Sequence, residues 1–146
     1  MKEYSFRIEL EGSQEELFQF LGDPRQRTRW QSSLAWVKLE NAEELPSQGM
    51  RWTEKAHGLG EFAMRITKYQ PSSRWAEEGT SSKGEVSIEL GFSPGSQRNT
   101  TEVHVIIRLQ LRGLLRGLAP VVPWALQPLM SADLKKASKL IKSGQV

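Results

Sequence analysis

The chain has 146 residues and no cysteine, which is length enough to bury a sizeable core and excludes disulfides, thiol catalysis and cysteine-ligated metals. Twenty Lys and Arg against seventeen Asp and Glu leave a net charge of +3, too mild and too evenly spread to argue for nucleic acid. The long apolar tract GLLRGLAPVVPWALQPLM, residues 113–130, is interrupted by Arg116 and three prolines, so its unbroken runs fall far short of the ~20 residues of a membrane span.

The opening MKEYSFRIEL lacks the apolar core of a secretory signal, which makes a cytoplasmic location the expectation. Within it the residues alternate, with Tyr4, Phe6, Ile8 and Leu10 on one face and Glu3, Ser5, Arg7 and Glu9 on the other. That is the pattern of a half-buried strand. GSQEELFQFLGDP predicts a short helix, with Ser13 as N-cap, Glu16 completing a capping box and Gly22 as the stop. Asp23 and Pro24 then start a second short helix over DPRQRTRW.

From residue 34 the pattern is strand. LAWVKLEN, MRWTEKAH, EFAMRITKYQ, RWAEEGT, EVSIELGF and TTEVHVIIRLQLRG are separated by turns at ELPSQG, GLG, PSS, SSKG and SPGSQRN. Phe62, Met64 and Ile66 share a face, as do Val86, Ile88, Leu90 and Phe92. In the longest strand Val103, Val105, Ile107, Leu109 and Leu111 point inward and His104 outward. The register around Trp36 is ambiguous, because Leu34 and Trp36 alternate against Val37 and Leu39. In MRWTEKAH the drier face carries Met50, Trp52, Glu54 and Ala56. A carboxylate does not belong in a closed apolar core, where burial without a partner costs several kcal/mol; a slip at the strand end into solvent, a structural pair with an arginine, or an internal cavity each accommodates it.

In the tail, Pro120, Pro123 and Pro128 each limit helix on their N-terminal side. Leu126, Met130, Leu134, Ala137 and Ile141 recur at helical spacing, which predicts a kinked lead-in and a C-terminal helix ending near Ser143–Gly144. Lys135, Lys136, Lys139 and Lys142 read as the solvated face of that helix. RGLLRG reads as the exit from the last strand. The elements form one α+β domain over residues 1–146, with the helix laid across one face of a curved antiparallel sheet.

The element order, carried by SQEELFQFLGDPRQRTRWQ, GMRWTE, ITKYQPSSRWAEEG, LGFSPGSQRNTTEVHVIIRLQLRG and the final amphipathic helix, resembles the SRPBCC superfamily, also called START-like, helix-grip or birch-pollen-allergen-like. Within it the chain is similar to the bacterial polyketide cyclase/dehydrase-like branch. The resemblance implies a β-α-α-β6-α order, a sheet of about seven strands wrapped around the long helix, and an elongated cavity between them for an apolar or amphipathic small molecule. It supplies no catalytic constellation that transfers residue by residue, and fold does not fix function.

Within such a cavity the expected ligand-binding residues are Trp30, Trp52, Glu54, Phe62, Met64, Ile66, Trp75, Val86, Ile88, Leu90, Val105, Leu109, Trp124, Met130 and Asp133. Glu54 and Asp133 are the candidate orienting groups, and the only candidates for acid/base chemistry. Asp133 falls between Met130 and Ala137 on the apolar stripe, where a carboxylate needs a partner, unless Ser131-Ala132-Asp133 lies solvated at a cavity mouth or helix start. The tryptophans offer flat apolar surface with an N–H to orient a polar group. The two histidines have no metal-ligand spacing, no phosphate loop or nucleophile elbow is present, and no metal or cofactor is expected. Three functions remain: a lipid, polyketide or isoprenoid carrier or sensor; a cyclase or dehydratase-type enzyme with a cavity carboxylate as acid/base; and a protein-interaction module without a ligand. The expected partner is a small hydrophobic ligand, without nucleic acid or an integral membrane segment; a homodimer is compatible with the sequence, though nothing in it requires one.

Overall fold

The computed structural model describes residues 2–118 and 120–144, the side chain of Pro123 excepted. β1 (Lys2–Glu11) leads into α1 (Gln14–Leu21), a 3-10 turn (Pro24–Gln26) and α2 (Arg27–Trp30). Six strands follow, β2 (Leu34–Leu39), β3 (Arg51–Ala56), β4 (Gly60–Gln70), β5 (Arg74–Ser81), β6 (Gly84–Pro94) and β7 (Thr100–Leu111). A 3-10 helix (Gly113–Leu118) then precedes α3 (Val122–Lys142).

The local chemistry explains the first boundaries. Ser13 Oγ accepts the Glu16 N–H at 3.1 Å, satisfying one of the free donors of the first turn of α1. The N–H of Gly22 closes α1 on the Phe18 carbonyl at 2.8 Å. Asp23 Oδ1 accepts from Arg25 N at 3.0 Å and caps the next turn, with Pro24 at its start.

The seven strands form one antiparallel sheet in the order β1-β7-β6-β5-β4-β3-β2. β2 to β7 run as a meander, and β1 closes on the last strand, from Lys2 opposite Leu109 to Glu11 opposite Thr100. The helices share one face of this curved sheet, and α3 lies near β1, α1 and α2. This is the expected helix-grip arrangement, and its reason is the alternation of strand residues: one face mostly apolar, the other mostly polar.

The core is dense at one end. Leu17, Phe18 and Leu21 of α1 join Leu90, Phe92, Val103 and Val105 of the sheet and Leu134, Ala137 and Ile141 of α3 in one cluster. Phe18 meets Tyr69 and Phe92 edge-on, with ring centroids 5.1 and 5.4 Å away.

Two local readings are refined. The ambiguity at Trp36 has a structural cause: the pairing slips between Leu34 and Trp36, since Leu34 faces Ala56 while Trp36 faces Lys55. The additional residue in β2 breaks the alternation. In the tail, the segment expected to be a plain strand exit forms the 3-10 helix, and α3 starts earlier than the prolines suggest. Pro123 sits in its first turn, where the missing N–H had no partner to lose. Pro128 lies inside the helix; it lacks the N–H that would reach the Trp124 carbonyl, and the helix continues on both sides.

Candidate functional site

Beneath the N-terminal half of α3 the sheet and helix do not meet, and a cavity of about 370 Å³ remains. Phe62 and Met64 of β4, Val86 and Ile88 of β6, and Ile107 and Leu109 of β7 form its sheet wall. Val122, Leu126 and Met130 of α3 face them, and Leu115 and Leu118 of the 3-10 helix stand at the side. Gly79 of β5 leaves room for this wall, since a Cβ there would collide with the Met64 thioether.

The polar groups on the wall are unevenly charged. Among the described residues, Glu54, Glu77 and Asp133 line the cavity together with Gln31, Ser33 and His57, and no Lys or Arg does so. Glu54 is 6 % exposed and accepts the Trp52 indole N–H at 2.9 Å. Residues two apart on a strand share a face, so Trp52 supplies the partner that makes the carboxylate tolerable. Asp133 accepts from Ser32 Oγ at 2.8 Å and from Ser32 N at 3.3 Å, which ties α3 to the segment after α2. Burial raises the Asp133 carboxyl above its ordinary range, against the two Ser32 hydrogen bonds that lower it.

Glu77 is held from behind. Arg27 Nη1 and Nη2 reach its two carboxylate oxygens at 2.8 and 3.2 Å, and both side chains are 1 % exposed. The guanidinium carbon lies 4.9 Å from the ring centre of Trp75, 5.6 Å from Trp30 and 5.8 Å from Trp52. Three indoles thus surround a paired cation, an arrangement worth more away from water than in it. The cluster holds one positive and two negative groups. Burial, reinforced by the neighbouring Glu54 carboxylate, pushes Glu77 up to about 7 even though Arg27 pulls the other way. Among the described residues, three buried nitrogens find no acceptor: Arg27 Nε, Trp30 Nε1 and Trp75 Nε1.

Apart from Trp124, the residues singled out from the sequence divide into two sets. Trp30, Glu54, Phe62, Met64, Val86, Ile88, Leu109, Met130 and Asp133 line the cavity. Trp52, Ile66, Trp75, Leu90 and Val105 are buried but form no part of its wall. Register gives the reason. Trp75, Leu90, Val105 and Phe6 lie opposite one another across β5, β6, β7 and β1, and Gly79, Val86 and Leu109 form a parallel row four residues further along β5. Both rows face inward, but one lies under α1 and the other under open space. Trp52 and Trp75 are spent on Arg27, and Trp124 is 83 % exposed on α3.

Sequence reasoning missed Arg27 and Glu77. A signal existed for both. Trp-x-Glu occurs twice, as Trp52-Thr53-Glu54 and Trp75-Ala76-Glu77, and each strand pairs an inward indole with an inward carboxylate. Arg27 stands three residues before Trp30 on α2, hence on its face. Its flanking arginines offered no sequence-level distinction.

Among the described residues no helix is long and apolar enough to cross a membrane, and no group of three or more His, Cys, Asp or Glu side chains could hold a metal ion. No curated protein matches the chain. Solved structures share its fold at low identity. A protein from Thermus thermophilus superposes with a TM-score of 0.78 at 12% identity, covering 99% of this chain and 100% of that one. A conserved protein from Geobacillus kaustophilus gives 0.74 at 16%, covering 98% and 97%. A START superfamily protein from Mycobacterium smegmatis gives 0.69 at 12%, covering 97% and 95%. A family model described as polyketide cyclase / dehydrase and lipid transport matches residues 1–141. Nearly the whole chain, in a helix-grip architecture with an internal cavity, therefore belongs to the polyketide cyclase/dehydrase and lipid-transport family.

Proposed function

We propose that the protein binds one small apolar or amphipathic molecule of lipid, polyketide or isoprenoid type in the cavity between sheet and α3, as a carrier or sensor. The observation that carries this reading is the unfilled space of about 370 Å³ walled by aliphatic and aromatic side chains. Ligand pockets run from about 300 to 1,000 Å³, so the space suits one chain or one ring system. Covering apolar ligand surface contributes about 25 cal/mol per Å² before ordering costs. Glu54 and Asp133 orient the polar end.

The test uses N-phenyl-1-naphthylamine, a neutral apolar fluorophore with one N–H. Saturable fluorescence gain at one probe per chain, with a raised Tm, is the expected result. Absence of both, together with an apo mass in native mass spectrometry of protein from its own cells, would sink the proposal.

A second reading, cyclase or dehydratase chemistry, draws on the Asp133 carboxyl, which burial raises above its ordinary range, and on the Glu54 carboxylate lining the same cavity. A general acid or base works best near the operating pH. Glu77 is locked to Arg27, so Glu54 or Asp133 would handle the substrate proton. This reading requires turnover of a bound polyketide with a bell-shaped pH profile that Glu54→Gln abolishes.

A further inference from the structure

The charge on the cavity wall selects the kind of polar end a ligand carries. Among the described residues, three carboxylates reach the wall and no lysine or arginine does. The one buried cation nearby, Arg27, is bound through two hydrogen bonds to Glu77. Glu54 and Asp133 face the cavity without an ion-pair hydrogen bond of their own, since Arg27, though its charge also reaches Glu54, spends its hydrogen bonds on Glu77; theirs come from neutral Trp52 and Ser32. Lys136, which acts on Asp133, is exposed on α3 and does not line the cavity. The remaining titratable group on the wall, His57, is exposed. Carboxylates accept hydrogen bonds and repel like charge, and low dielectric strengthens both effects.

Building on the binding reading above, we infer that the cavity takes amphiphiles whose polar end donates hydrogen bonds, amines first and neutral hydroxyl compounds second, and rejects free fatty acids and other carboxylates. The apolar wall is indifferent to this choice, so chain length sets affinity while the head group sets selectivity. The molecule as a whole carries +3, so adsorption to its surface favours the opposite order. An amine preference therefore reports the cavity.

Decylamine, decanol and decanoate share one apolar chain and differ only in the head group. Each is titrated below its micelle concentration against the protein loaded with N-phenyl-1-naphthylamine, at pH 7 and low salt. Decylamine is expected to displace the probe at a concentration at least about tenfold below decanoate, with decanol between them. Glu54→Gln and Asp133→Asn, made separately, should each narrow the amine-to-carboxylate ratio about threefold while leaving decanol unchanged. If either variant fails to fold, the other and the native protein's own order still decide. Decanoate displacing the bound probe as well as decylamine, or a ratio unmoved in both variants, overturns the inference and leaves the binding reading standing. Failure of the probe and all three decyl compounds to bind overturns both.

Discussion

The two ends of the space under α3 are built on the same sheet, yet one is solid and the other hollow. At the solid end the C-terminal half of α3 places Leu134, Ala137 and Ile141 against a sheet already covered by Leu17, Phe18 and Leu21 of α1. At the hollow end there is no second helix of that size. The 3-10 helix Gly113–Leu118 stands there with no buried residue, and Leu114 is fully exposed. Sheet residues at the two ends are equally apolar: Leu90, Phe92 and Val105 at one, Val86, Ile88 and Leu109 at the other. A cavity here comes from a missing layer, not from a polar sheet. The Arg27–Glu77 pair, caged by indoles, separates the two ends.

That junction should give the largest effect. Arg27→Ala leaves Glu77 buried and unpaired and should cost about 3–5 kcal/mol in urea denaturation, whereas replacing both members with apolar residues of similar size should recover most of it. A loss under 1 kcal/mol in Arg27→Ala would mean the pair is more hydrated than its 1 % exposure indicates.

The contrast between ends is tested by matched truncations. Leu17→Ala at the solid end should cost about 2–5 kcal/mol, through lost transfer energy and a new void. Ile88→Ala should cost less than about 2 kcal/mol, because its neighbours already border open space. Equal losses from the two would mean that the hollow end is filled in solution.

Next in size is the pH dependence. Glu77 is raised from 4.5 to about 7 in the folded protein, and Asp133 is raised as well. A carboxyl raised on folding holds its proton more tightly in the native state. Its contribution is complete below the unfolded value and is lost as pH rises through the folded one. Stability should therefore fall by about 1–3 kcal/mol between pH 5 and pH 8, read as a Tm lower at pH 8. Glu77→Gln should flatten the curve; an unchanged slope would place the titration elsewhere. The smallest effect belongs to Trp124→Ala. At 83 % exposure it should change stability by less than about 0.5 kcal/mol.

Much of this was legible before any coordinates. Strand alternation marked the inward face of β1, β4, β6 and β7, and the Ser13–Glu16 box and Gly22 marked the ends of α1. Glu54 and Asp133 announced themselves as carboxylates on apolar faces. Arg27 did not, since RQRTRW offers three arginines at similar local cost and only packing chooses one. Leu90 and Val105 were grouped with Ile88 and Leu109, since parity cannot distinguish residues two or four apart on one strand.

Hydrophobic periodicity is a local property, so the chain alone dictated the element order, the inward faces and the presence of carboxylates among them. How far along each strand the covering helices reach is a long-range property. Where α1 supports α3 the inward residues became core; beyond it the same kind of residues became cavity wall. Contacts between segments far apart in sequence made that division, and with it the pairing of Arg27 with Glu77, fifty positions away.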